Sequence, residues 1–459
     1  MDALSLPALQ TSNTSGNDVM KILFIQPAVG HKGGGAAYPK TWIMEPLSLA
    51  VLSALTPPRV ERMFMDDRLG EVDYSAEADV VAMPVECYTA ARSYEIAARF
   101  RAKGAKVILG GFHVKLNEAE AAAHADAIIV GDGETTWPQV VDDLEAGALK
   151  ARYAGRGGAF CPIPDRRLYA GRDYGWLNLV ETSRGCSFDC EFCSVTKFFG
   201  RRYTPRPLDE VMAEVRSLEK DIVFFVDDNL AMDVERLKDL CRRMIPLHKR
   251  WVGQLSIHSA KDDALLALME RSGCAGVLIG FESLDAETLA DMGKRVNAAN
   301  GDYAAAIENL RRHHLSIYAT FVFGYDHDTE ETFERTFEFA MRSRFFFAAF
   351  NHLVPFPGTG VYARFVREGR MLHDRWWLDK SVHFGDVVFR PKNFTSEALA
   401  EKCREYRLRF YSAKSIFRRA LDLRANAHGL RKALIFLASN FTQEREVMRR
   451  HGLPNGGDP

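Results

Sequence analysis

No stretch of about 18 residues in this 459-residue chain is both apolar and free of charge, which excludes a membrane-spanning helix. Residues 1–19 lack the basic start and the apolar core of a secretory signal and are expected to form a flexible tail. Neither sign of charge dominates: 60 Lys and Arg against 61 Asp and Glu leave a net −1. No global field therefore draws the chain to nucleic acid, and the basic pairs Arg201-Arg202 and Arg311-Arg312 are too short to do so locally. Cysteine is scarce, eight in all. Without a secretory segment, thiols this few and this unevenly spread predict a reducing, cytoplasmic setting rather than a disulfide scaffold.

Three of the eight nonetheless stand together, Cys186, Cys190 and Cys193, at the spacing C-x3-C-x2-C. Random placement would produce that string with a probability of roughly 0.002, so the grouping has a chemical reason. A structural zinc site wants four closed ligands, and the next candidates, Cys241 and His248, lie in and beyond a predicted surface helix. Three thiolates suit a cubane of four irons and four sulfides, in which the fourth iron takes its ligand from something other than protein.

At 47% hydrophobic residues the chain has enough apolar content for two core-forming domains and an appendage. Short apolar runs at 21–25, 60–65, 79–83, 106–109 and 127–130 alternate with helical stretches such as 91–103, where Ile96, Ala97 and Phe100 share a face. This pitch predicts an α/β domain over 20–150 with a doubly wound parallel sheet. Ligands of such sheets dock at the carboxyl ends of the strands, where Gly33 to Gly35, Gly110-Gly111, Gly131 and Gly133 fall. Residues 151–178 read as a linker. From 179 to 370 the strand–helix alternation resumes, and six units fit a partial (β/α)6 TIM-type barrel with the cysteines directly after its first strand. Residues 371–459 form a helical C-terminal extension, with Arg-rich helices over 397–412 and 414–425, an apolar helix over 430–441 and a disordered end from His451. The Arg-rich face reads as a solvated surface that caps the barrel.

The triplet, with Phe192 just before its last cysteine, resembles the signature C-x3-C-x-aromatic-C of the radical S-adenosylmethionine (SAM) superfamily. Stretches 223–230, 253–259, 276–283, 318–333 and 353–362 are similar in order and spacing to that family's strand ends. Stretch 107–137 is similar to the cobalamin-binding-type domain of one large subgroup. The resemblance implies a [4Fe-4S] cluster on Cys186, Cys190 and Cys193, its open iron completed by SAM, whose sulfonium is cleaved by one electron from a donor such as flavodoxin or ferredoxin. It implies cofactor contacts from Phe192, from Asp227, Asp228 and Asn229, and from Ser256, Glu282 and Ser283. His258 is the candidate for proton transfer or substrate contact. Gly110, Gly111, Gly131 and Gly133 would meet the tail of a bound cobalamin.

Other readings of the same residues stay open: helix capping by Asp228 or Asn229, a salt bridge from Glu282 to Lys294, a core histidine at 258, and a plain turn or helix start at the glycines. The string D-x-H-x-x-G, which sets a histidine beneath cobalt, is absent from 20–150, and neither His31 nor His113 is expected to bind the metal. The resemblance implies modification of a small-molecule substrate, methyl transfer first and cobalamin-independent radical chemistry second. A cobalamin or iron–sulfur sensing module is the non-enzymatic alternative, and the full set of barrel motifs argues against it.

Overall fold

The computed structural model describes residues 19–31, 44–158, 162–172, 174–294, 297 and 303–457. The expected tail over 1–18 and the glycines Gly33 to Gly35 lie outside the described residues.

The first sheet contains β1 (Lys21–Gln26), β2 (Glu61–Asp66), β3 (Val80–Pro84), β4 (Lys106–Gly110), β5 (Ala127–Val130) and β6 (Arg152–Ala154), all parallel, in the order β2-β1-β3-β4-β5-β6. Ile22, Leu23, Phe24 and Ile25 are fully buried, as a continuous apolar run covered on both faces must be. The strand order turns between β1 and β3, which opens a crevice at their carboxyl ends. β6 falls inside the segment expected to be linker. It is only three residues long and half polar, too short for its alternation to register in sequence, and it is held by pairing with β5.

The second sheet runs β14-β13-β12-β11-β10-β7 and is also parallel. Its strands are β7 (Leu177–Val180), β10 (Ile222–Phe225), β11 (Arg250–Leu255), β12 (Cys274–Glu282), β13 (Ser316–Phe323) and β14 (Phe347–His352). Two short strands, β8 (Ser183–Arg184) and β9 (Thr204–Pro205), pair antiparallel beside β7. β7 and β14 do not pair, so the barrel is open on one side. The helix Val234–Met244, which holds Cys241, begins where Asp233 caps it, accepting from the backbone N–H of Arg236 at 3.0 Å.

The extension departs from expectation at three points, the first being that the helix expected over 414–425 ends at Ala420. Its last helix, Leu430–Arg450, runs nine residues past Phe441. The end of the chain is not loose through residue 457: Gly456 donates to the Val29 carbonyl at 2.9 Å and Asn455 to the Trp376 carbonyl at 2.9 Å. Both contacts are tertiary, and residues that rich in Gly, Pro and Asn carry no periodicity of their own.

Candidate functional site

The loop after β7 carries the three cysteines and is tied down at each end. Gly185, at φ +77, donates its backbone N–H to Asp228 Oδ2 at 2.8 Å, and a Cβ there would lie 2.0 Å from the Arg202 carbonyl, so only glycine fits. Glu191 takes a two-pronged bond from Arg364, at 2.9 and 3.1 Å, and donates its N–H to the Met292 carbonyl. Cys190 is buried and Cys186 and Cys193 are half-buried. Burial pushes the Cys190 thiol up to about 12 and raises that of Cys186. Among the described residues no three His, Cys, Asp or Glu side chains stand close enough to share one metal ion. A cubane asks for no such convergence, since each thiolate takes a different iron.

A chain of polar groups leads away from Cys186. Its Sγ lies 3.7 Å from Met232 Sδ. Asn229 donates from Nδ2 to that sulfur at 3.2 Å and to Ser256 Oγ at 2.6 Å, while its Oδ1 accepts from the Ala231 N–H. Asp228, at the end of β10, is raised to about 6 by burial and keeps one carboxylate oxygen on the cluster loop. Asp227 is more deeply committed. Its carboxylate accepts from the Thr182 N–H at 2.9 Å, from the Thr182 hydroxyl at 2.7 Å and from the Ser183 hydroxyl, which turns it toward the scaffold. Ser283 is buried, and its hydroxyl accepts from the Asp285 N–H at 3.0 Å.

Glu282 ends β12 at φ +64, after a shift in register against β13. A non-glycine residue is held in that region only by its surroundings. Its carboxylate meets Lys294 Nζ at 2.6 Å, so the simple ion pair is realised. A Cβ on Gly280 would come within 2.2 Å of Glu282 Oε1, so that glycine makes the room the carboxylate uses. Burial alone would lower Lys294, but Glu282 and then the Cys190 thiol outweigh it and the ammonium titrates above an ordinary lysine. His258 is half-buried just beyond β11, its ring 6.1 Å from Phe188 of the cluster loop. Its Nδ1 is buried with no hydrogen-bond partner among the described residues, and desolvation, then Lys261, lowers its pKa.

The carboxyl edge of the first sheet faces this loop. Phe112, after Gly110-Gly111, stacks on Phe198 at 4.2 Å. Arg184, two residues before Cys186, reaches Glu134 and lies 3.6 Å from Asp132 and 2.7 Å from Glu181. Gly131-Asp132-Gly133-Glu134 thus couples the two sheets, a role that the sequence reading missed and that an arginine beside the triplet could have suggested. Gly111 and Gly131 adopt φ +101 and +94, and a Cβ on either would meet backbone of Val85 or Gly155 at 2.9 Å. A Cβ on Gly110 or Gly133 would meet its nearest neighbours, Ile129 and Leu52, only at 3.4 Å or more. His113 is buried between Cys87 Sγ at 3.3 Å and Glu120 Oε1 at 3.0 Å, and His31 meets Asp67 at 3.0 Å.

Three thiols sit at the mouth of an open parallel barrel, with a doubly wound sheet latched over the same face. Residues 180–340 match the profile of the Radical SAM superfamily. The bacteriochlorophyllide d C-12(1)-methyltransferase of Chlorobaculum tepidum is 30% identical over 392 residues, 82% of this chain and 84% of that one. The C-8(2)-methyltransferase of the same organism is 28% identical over 397 residues, 82% and 87% of the two chains. TsrM of Kitasatospora setae, a radical SAM methyltransferase solved with cobalamin and a [4Fe-4S] cluster, shares the fold at 18% identity, with a TM-score of 0.61 over 85% of both chains. The chain belongs to the radical SAM superfamily, and its cofactors are a [4Fe-4S] cluster and SAM. Among the described residues no helix is long and apolar enough to cross a membrane.

Proposed function

We propose that the protein uses a bound corrinoid to transfer a methyl group from SAM to a large, mainly apolar small molecule. One cavity of about 760 Å³ carries the reading. Its wall includes Met44 and Tyr88 beside the β1/β3 crevice, Phe192 in the cluster loop, and Val252, Leu278 and Val322 inside the barrel. A single lumen therefore connects the edge where such sheets dock cofactors, the loop that holds the cluster and a space large enough for a multi-ring acceptor. The three thiols themselves are outside its wall, and Phe192 is the part of the triplet that borders it. The relatives support this choice, two of them being named for methyl transfer to bacteriochlorophyllides.

When bound, the cluster supplies one electron to the sulfonium of SAM and the corrinoid carries the methyl group. The chain's own residues position and shield. Asp228, Asn229 and Ser256 present polar groups to SAM, with Asp227 supporting them from behind, and Glu282 and Ser283 face its ribose and carboxylate. His258 holds or moves a proton at its unpartnered Nδ1. Gly110, Gly111, Gly131 and Gly133 would border the tail of a bound corrinoid, and His31 and His113, held by Asp67 and by Cys87 and Glu120, would not serve as its metal ligands. The electron comes from a small donor such as flavodoxin or ferredoxin.

Anaerobic purification from corrinoid-replete cells tests the proposal. About one corrinoid and four irons per chain are expected, with SAM cleavage on reduction and methylation of chlorin-type acceptors like those of the relatives. A corrinoid-free wild type that still turns over its substrate would replace methyl transfer by direct radical chemistry.

A further inference from the structure

The helix Leu430–Arg450 buries Phe436 but leaves a second apolar stripe outside. Leu430, Leu434, Phe441 and Met448 recur at intervals of four, seven and seven, which puts them on one stripe, and that stripe is exposed, Leu430 by 78% and Leu434 by 58%. The opposite stripe, which includes Ser439, Gln443 and Glu446, lines the large cavity instead. Phe441 packs edge-on against Phe417 of the helix Ala413–Ala420, at 6.0 Å, and Phe417, Leu421 and Leu423 continue the exposed apolar surface. Contiguous apolar exposure of this kind marks a docking face.

Charge identifies what docks. Although the whole chain is balanced, residues 412–443 hold six Lys and Arg against one carboxylate. That carboxylate, Asp422, is buried and paired with Arg311. Lys414, Arg418 and Arg431 are exposed among the apolar side chains, and Arg424 pairs with Glu308. One exposed carboxylate, Glu444, stands between Phe441 and Met448; around Phe417, Leu421, Leu423, Leu430 and Leu434 the apolar side chains project from a basic rim, which fits an anionic lipid surface better than another protein face. Trp176 stands beside this surface, half-exposed, and with Ile222 and Leu434 lines a second cavity at the amino-terminal end of the barrel strands. Trp176 and Ile222 also line the large cavity. The lumen thus has an apolar mouth where the membrane would lie, on the face opposite the cluster.

We infer that the surface formed by residues 413–441 and Trp176 rests on an anionic membrane, and that the apolar substrate enters the barrel from the lipid through this mouth. The second half of the inference rests on the function proposed above; the first does not.

The test is co-sedimentation of the full-length chain with phosphatidylglycerol/phosphatidylcholine vesicles and with phosphatidylcholine vesicles. Expected is at least tenfold stronger partition onto the anionic vesicles, weakened by salt. Leu421→Gln combined with Leu423→Gln, and separately Arg418→Gln combined with Arg431→Gln, should each lower it at least tenfold, with circular dichroism and iron content unchanged. Equal partition onto both vesicle types, no partition at all, or variants that bind like wild type would overturn the inference. A wild-type dimer that the leucine variant dissociates while its vesicle binding persists would overturn it in favour of a self-association face. Vesicle binding needs no corrinoid, so its failure is separable from failure of the methyl-transfer reading.

Discussion

Glu282→Ala tests the strand-end carboxylate where its geometry is most unusual. The residue is 8% exposed, sits at φ +64 and meets Lys294 at 2.6 Å. A left-handed conformation costs a non-glycine residue about 1–2 kcal/mol, and the surroundings sustain it for a carboxylate placed toward the site. Loss of a charge-assisted hydrogen bond to SAM should weaken binding by about 1.5–3 kcal/mol, or about 10- to 150-fold in Kd. Truncation also leaves Lys294 without its carboxylate beside the cluster thiols, so iron content has to be measured on the same sample. The assay is anaerobic equilibrium dialysis of labelled SAM against reconstituted protein. Glu282→Ala should keep about four irons and lose affinity by that factor. Glu282→Gln, which keeps an acceptor, should lose less. Glu282→Gly should bind SAM as poorly as the alanine variant yet unfold at a higher temperature, because glycine relieves the backbone. A Kd within about twofold of wild type, with iron intact, would refute the reasoning and leave Glu282 as the partner of Lys294 alone.

Replacing Cys186, Cys190 and Cys193 together by alanine should abolish uptake of about four irons and four sulfides per chain, measured by iron and sulfide analysis; zinc uptake by the wild type in place of iron would contradict the cluster. Asp67 gives a pH test. Burial pushes its carboxyl up, but the bonds from Arg92 and His31 outweigh this and bring it from 3.8 down to about 2. A depressed folded pKa stabilises fully above the unfolded value and is lost as pH falls through the folded one. About 2 kcal/mol should therefore disappear between about pH 5 and pH 2 in denaturant titrations. Asp67→Asn should flatten that part of the curve, and an unchanged acid limb would show that the pair with Arg92 carries no such weight.

Most strands were readable because each is a short apolar run between turn residues, and a run buried on both faces shows its length directly in the chain. The cysteine triplet stood out for a related reason: its members are adjacent in sequence, so spacing alone singles them out. β6 and residues 451–457 were not, because both are held by partners far away in the chain and have no pattern of their own. The site divides in the same way. Cys186, Cys190 and Cys193 were singled out by local spacing, and Phe192, Asp228, Asn229, Ser256 and Glu282 by the resemblance to the radical SAM family. Only the tertiary structure turned Asp227 toward Thr182 and Ser183, set Lys294 against Glu282, and brought Glu134 to Arg184. Likewise, the run over 430–441 reads in sequence only as an apolar helix. Which of its faces meets water depends on the barrel beside it, and packing turned Ile435, Phe436 and Ser439 inward and Leu430 and Leu434 out. Covalent order determines spacing and periodicity; the orientation of a side chain toward a partner dozens of residues away is settled only when the sheets come together.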